Sequence, residues 1–234
     1  MSEKKFLKKE AIGFGWETAK ANIGFFVLVL LVIWVAQMIF SAPSGYYWGK
    51  VYFWSPILSL LNWVVGLFVG LAVIRVTLRF NRGETAEFED LWMGYPKFLE
   101  FLVGSILYGL LVFAGILLLI IPGIYWGVRY QFFGYCIMDR DVGPVEAMKM
   151  SGRITRGSWW NLFWLGILEG LVVLLGFLAC CVGLFWAVPT AMVAHGYAYV
   201  KLAAAEPPAA QQPMAAAPAG APPAAVPPVE PPAE

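Results

Sequence analysis

Long apolar stretches separated by short polar breaks set the pattern of this chain. A helix crossing a hydrocarbon slab ~30 Å thick needs about 20 apolar residues. Six stretches are candidates, over residues 23–40, 56–78, 98–121, 123–138, 159–181 and 184–202. The fourth, "GIYWGVRYQFFGYCIM", is the least apolar of them. Ordinary turn signals punctuate the series: "SAPSG" at 41–45, "NRGE" at 81–84, "PG" at 122–123 and "DRDVGP" at 139–144. The pattern predicts an all-α membrane protein with six transmembrane helices. Residues 1–22 read as a cytoplasmic amphipathic lead and 23–202 as the membrane domain. The Pro/Ala-rich stretch 203–234 reads as a disordered cytoplasmic tail of polyproline character.

Charge orients the threading. With the N-terminus in the cytoplasm, Lys4, Lys5, Lys8, Lys9 and Lys20 lie inside, followed by Arg75, Arg79, Arg82 and Lys97. Arg140, Lys149, Arg153, Arg156 and Lys201 complete fourteen of the sixteen basic residues. Lys50 alone falls outside, and Arg129 lies within a span. Positive charge collects on the cytoplasmic side of membrane proteins, so both termini are expected there. The lead and the first apolar run are both too long for a cleaved signal peptide.

Internal echoes suggest repetition. "EAIGFGWETAKAN" at 10–22 resembles "EAMKMSGRITRGS" at 146–158, and "GLLVFAGILL" at 109–118 matches "GLVVLLGFLA" at 170–179. The six spans therefore read as three hairpin units, each preceded by a cytoplasmic amphipathic segment. "EFEDLWMGYPKF" at 87–98 is the weakest copy of that segment.

The run "IPGIYWGVRYQFFGYCIMD", the "D-R-D-x-G-P" turn and "EAMKMSGRITRGSWWNLFWLG" carry a resemblance. Together they look like a set of bacterial integral membrane proteins that includes uncharacterised six-helix proteins. The set also includes the membrane domain attached to some glycerophosphodiester phosphodiesterases. The likeness covers about residues 5–202 and implies a bacterial cytoplasmic (inner) membrane location. It brings no catalytic residue with it, because the phosphodiesterase activity belongs to a separate soluble domain.

Three ionisable residues fall inside spans: Glu169, Arg129 and His195. At ~1.5 Å per residue all three come near mid-bilayer, where an isolated charge costs about 2.5–3.5 kcal/mol on insertion scales. A Glu169–Arg129 ion pair with His195 nearby is the leading expectation. A polar ligand or proton cavity, and a protonated Glu169 facing lipid, are the alternatives. Glycines four apart, Gly66 with Gly70 and Gly166 with Gly170, allow close helix approach within the monomer or at a homodimer face.

Lys149, Arg153 and Arg156 share one helical face behind Pro144, and Lys5, Lys8 and Lys9 sit among apolar residues of the lead. Both segments are predicted to lie in the headgroup layer, each cation gaining ~1 kcal/mol from anionic lipid. Topology-setting charge alone explains the same residues. Tyr46, Tyr47, Trp48, Tyr52 and Trp54 read as an interfacial aromatic belt.

Composition agrees. The chain is 60% hydrophobic and only 13% charged, against about 25% for soluble domains. Cys136, Cys180 and Cys181 have no metal-ligand spacing, and His195 is the one histidine. No phosphate loop, metal cluster or catalytic triad is legible, so neither cofactor nor nucleic-acid partner is expected. Two function classes follow. One is a non-enzymatic complex subunit or scaffold that binds lipid, a membrane-protein partner or a second copy of itself. The other is a small transporter built around Glu169 and Arg129.

Overall fold

The computed structural model describes residues 8–41, 55–91, 95–179 and 183–206, and its regular elements among them are all helical. In order these are α1 (Lys8–Ala21), α2 (Ile23–Ser41), α3 (Ser55–Asn81), α4 (Phe98–Leu118), α5 (Ile120–Tyr130), α6 (Phe133–Arg140), α7 (Pro144–Ile154), α8 (Trp159–Leu178) and α9 (Leu184–Ala204). Lys5, the external-loop aromatics, Cys180, Cys181 and the chain from 207 on lie outside the described residues. The predicted tail begins too early, since α9 runs through Ala203 and Glu206 is buried beyond it.

Among the described residues, three helices are long and apolar enough to cross a membrane: Ser59–Asn81, Phe98–Leu118 and Trp159–Leu178. A fourth arises if α1 and α2, bent by 89° relative to each other, are taken together. α9 has the length, but Pro189, Thr190, His195 and Lys201 dilute its hydropathy. Large apolar side chains point outward on every long helix, among them Trp34, Leu60, Trp63, Leu110, Phe113, Trp160 and Phe177. Surfaces of that extent mark contact with lipid or with another apolar surface.

The fourth predicted stretch is two helices rather than one. α5 ends at Tyr130 and α6 begins at Phe133, so each is too short to cross alone at ~1.5 Å per residue. The break leaves backbone groups unpaired, which is costly away from water. α7 supplies the missing partners. The Ser151 hydroxyl accepts the Phe132 N–H at 3.2 Å and donates to the Arg129 carbonyl at 3.2 Å. The Thr155 hydroxyl reaches that same carbonyl at 2.9 Å.

α7 is therefore a packed element, not a helix lying free in the headgroups. Ala147, Met148, Met150, Ser151, Gly152 and Ile154 are all buried. They meet Phe132, Ile137, Leu165, Ala198, Tyr199 and Leu202 in the main core. α1 docks in the same way, burying the small residues Ala11, Gly15 and Ala19 against α9. The two similar stretches thus share a device. Ala11 and Ala147 are each 0% exposed. Four residues on, a Cβ built at Gly15 would lie 2.4 Å from the Thr190 carbonyl, while Ser151 bonds the Arg129 carbonyl.

The third predicted amphipathic segment is described in part. It forms short 3₁₀ turns at Phe88–Leu91 and Tyr95–Lys97. Asp90 explains part of this, because its carboxylate accepts the Glu87 N–H at 2.8 Å and pairs with Arg79 and Arg75 on α3. Such local bonding competes with a continuous helix.

The glycines four apart make no close contacts within the described residues of this chain. A Cβ at Gly66, Gly166 or Gly170 would meet nothing within 4 Å, and one at Gly70 only the Phe101 ring at 3.6 Å. Spacing alone does not say which face a helix turns inward. The close approaches are elsewhere. A Cβ at Gly115 would lie 2.7 Å from Gly123, and one at Gly183 the same distance from the Gly176 carbonyl oxygen.

Ser151→Ala with Thr155→Val should lower stability by about 1–3 kcal/mol, the cost of leaving buried backbone groups unpaired. Thermal unfolding in detergent checks this. Asp90 supplies a pH test. Burial pushes its carboxyl up, but the Glu87 N–H and the Arg79 and Arg75 guanidinium groups more than offset this and hold it below the ordinary aspartate range. A carboxyl depressed in the folded state stabilises fully above its unfolded pKa, about 3.9, and loses that contribution as pH falls through the folded value. The melting-temperature gap between parent and Asp90→Asn should therefore be constant above about pH 5 and shrink below about pH 4.

Candidate functional site

Glu169 meets His195, not Arg129. Its Oε2 lies 3.3 Å from His195 Nδ1, across the contact between α8 and α9. The carboxylate is 15% exposed and the imidazole 27%, so the pair is largely removed from solvent. Among the described residues Glu169 Oε1 has no hydrogen-bond partner. The His195 ring packs on Phe132 at 5.0 Å and Tyr135 at 5.9 Å. From there polar groups continue toward the basic end. Tyr135 and Thr77 share a hydrogen bond of 3.4 Å, and the Tyr199 hydroxyl donates to Asp139 at 2.8 Å. Asp139 also pairs with Arg82 and Arg140.

Arg129 lies in a different environment. Its Nη1 donates to the Tyr125 hydroxyl at 2.8 Å, and its guanidinium sits 5.8 Å from both the Tyr125 and Tyr130 ring centres. Among the described residues no carboxylate is within ion-pairing reach of it, and its buried Nε has no partner. The depth arithmetic behind the expected pair treats the fourth stretch as one straight helix. The break after Tyr130 invalidates it, since α7 holds the Arg129 carbonyl and draws this end of α5 toward itself.

Arg129 instead joins Lys149, Arg153 and Arg156 around a groove of about 440 Å³. Leu107, Leu111, Val145 and Met148 supply its apolar wall. Arg153 reaches Glu146 at 3.4 Å and Glu206 at 3.5 Å. Lys149 and Arg156 are exposed. Lys8 and Lys9 begin α1, and Lys9 lines a separate, mostly apolar cleft with Trp16, Leu175 and Trp186.

The repeat throws light on the Glu169–His195 pair. Matching "GLLVFAGILL" to "GLVVLLGFLA" places Tyr108 opposite Glu169. Matching the Gly134–Tyr135 and Gly196–Tyr197 dipeptides places Phe133 opposite His195. Tyr108 and Phe133 do touch, with ring centres 5.3 Å apart, and the Tyr108 hydroxyl donates to the Gly127 carbonyl at 3.1 Å. In this alignment of the similar stretches, an aromatic contact corresponds to the Glu169–His195 contact.

Sequence reasoning missed Ser151, Thr155 and Gly152. Serine and threonine four apart on one helix face, opposite a stretch too polar to span cleanly, were the available signal.

With this geometry in place, comparison with known proteins finds partial relatives. The chain is 37% identical over 109 residues to uncharacterized proteins of Mycobacterium bovis and of Mycobacterium tuberculosis strain CDC 1551. It is 36% identical over the same length to one of Mycobacterium tuberculosis strain H37Rv. The match takes in 45% of this chain and spans about a third, 32%, of those relatives' length. No family model matches the sequence, and no solved structure matches it.

A double variant, Glu169→Tyr with His195→Phe, copies the aromatic pair. It should keep stability within about 1.5 kcal/mol of the parent, as volume-tolerant repacking does. His195→Phe alone strands the carboxylate and should cost about 3 kcal/mol or more. Thermal unfolding in nanodiscs separates the two.

Proposed function

We propose that this chain is a non-enzymatic, multi-pass protein of a bacterial cytoplasmic membrane that serves as a complex subunit or scaffold and holds anionic lipid at its cytoplasmic rim. The observation that carries the reading is the placement of the rim cations. Lys149 and Arg153 ride on a helix whose opposite face is locked into the core, and Arg156 lies in the turn just beyond it, while the long helices beside it present apolar side chains outward. Cations fixed beside a lipid-facing surface suit phospholipid headgroups.

In this reading α2, α3, α4, the α5–α6 pair, α8 and α9 make six crossings in three hairpin units, with both termini cytoplasmic. The fourteen basic residues on one side support that orientation. The likeness to bacterial six-helix membrane proteins supports the location.

A second reading, a small transporter, is favoured by one observation: the Glu169–His195 pair with a carboxylate oxygen unpartnered among the described residues. Intramembrane ionisable groups are functional candidates by default. Arg129 no longer belongs to that site.

Native mass spectra of the gently extracted protein test the main reading. A retained anionic lipid together with a protein partner or second copy is the expected result. A bare monomer carrying only a small metabolite would move the transporter ahead. At ~1 kcal/mol per cation, Lys149→Gln with Arg156→Gln should weaken anionic-lipid retention about tenfold or more.

A further inference from the structure

We infer that the groove between α4, α5 and α7 is a binding site for one anionic phospholipid, with Arg129 gripping its phosphate and Leu107 and Leu111 lying along an acyl chain. This rests on the rim reading above and narrows it from a charged surface to a single built site.

The cations around the groove are not equivalent. Arg153 is matched by Glu146 and Glu206 at 3.4 and 3.5 Å. Arg129, Lys149 and Arg156 have no carboxylate partner among the described residues, so the groove carries surplus positive charge. Arg129 is the informative one. It is half-buried, pinned by the Tyr125 hydroxyl and flanked by two tyrosine rings, yet its charge is left uncompensated. A guanidinium inside a membrane domain without a counter-ion is costly. One held in a fixed orientation without a counter-ion offers its outer N–H donors to an oxygen anion, because arginine recognises phosphate through such donors.

Gly152 makes the site. A Cβ there would stand 3.1 Å from the Tyr130 ring and 3.4 Å from Arg129 Nε. The bare glycine lets α7 approach α5 until Arg129 and the α7 cations border one space of about 440 Å³. That volume suits a headgroup with the first part of one chain, not a whole lipid. The apolar wall of Leu107, Leu111, Val145 and Met148 faces the same space. A free phosphate ion has no use for that wall. A phospholipid uses both halves, and its remaining chain stays in the bilayer.

The test uses the full-length protein in nanodiscs made from equal parts phosphatidylcholine and phosphatidylglycerol, released gently for native mass spectrometry. One phosphatidylglycerol per chain should be retained in preference to phosphatidylcholine. Arg129→Gln should reduce that retention about tenfold or more, and Arg129→Lys should restore only part of it. Leu111→Trp, which fills the apolar wall without touching a charge, should reduce retention too. It keeps the test decisive if Arg129→Gln fails to fold. Equal retention of both lipids, parent-like retention in both Arg129→Gln and Leu111→Trp, or displacement of the lipid by millimolar inorganic phosphate would overturn the site. Loss of lipid on changing Lys149 and Arg156, with none on changing Arg129 or Leu111, would overturn the groove and leave the general rim intact.

Discussion

The hydroxyls of Ser151 and Thr155 on the Arg129 carbonyl and the Phe132 N–H hold the rest of the structure in register. In lipid an interrupted helix must find partners for its freed backbone groups, and here those partners come from a helix that follows in sequence. Three consequences come from this one contact. The α5–α6 segment can bend without stranding polar groups. α7 is fixed in orientation, with its cations facing away from the core. Arg129 is drawn to α7, which leaves Glu169 to find His195 instead. Without the capped break, a straight fourth helix would have no reason to bring Arg129 beside Lys149 and Arg156.

Much of this was legible from the chain itself, and the exceptions have physical causes. All-helical architecture, the apolar lateral surface and the paired state of Glu169 follow from hydropathy and from the cost of an isolated charge. The partner of Glu169 does not, because residue counting gives depth along a helix but neither its rotation nor its continuity. The break was invisible for a similar reason: the groups that stabilise it lie about twenty residues downstream, at Ser151 and Thr155. Gly66, Gly166 and Gly170 turn away from the described residues of this chain, so their spacing serves no contact within it. Gly15, Gly115 and Gly176 carry the close approaches instead.

The two internal echoes bear on function more than on fold. Where Tyr108 meets Phe133, a ring contact and one hydrogen bond to a carbonyl fill the space between an outer helix and its inner neighbour. At the matching place Glu169 and His195 bring two ionisable groups into the same kind of contact. Apolar packing would do the structural work there more cheaply, since buried ion pairs seldom outperform well-packed hydrophobic replacements. The acid–imidazole contact therefore differs in chemistry from the aromatic contact that the similar stretch makes.

The basic residues around α3, α6 and α7 differ in how their charge is met. Arg75 and Arg79 share Asp90, Arg82 and Arg140 share Asp139, and Lys97 pairs with Asp141 and Glu100. These charges are answered within the protein, and they fasten the segment after α3 and the end of α6 to the bundle. Around α7 the balance differs. Two carboxylates both turn to Arg153, while Arg129, Lys149 and Arg156 stand without an acid among the described residues. Lys8, Lys9, Lys20 and Lys201 also have no acid within ion-pairing reach among the described residues, but none of them lines this groove. Here the unanswered charges of α5, α7 and the turn after α7 border one apolar wall, beside a helix fixed by its own buried hydroxyls, and so have a defined place at which an anion could be met.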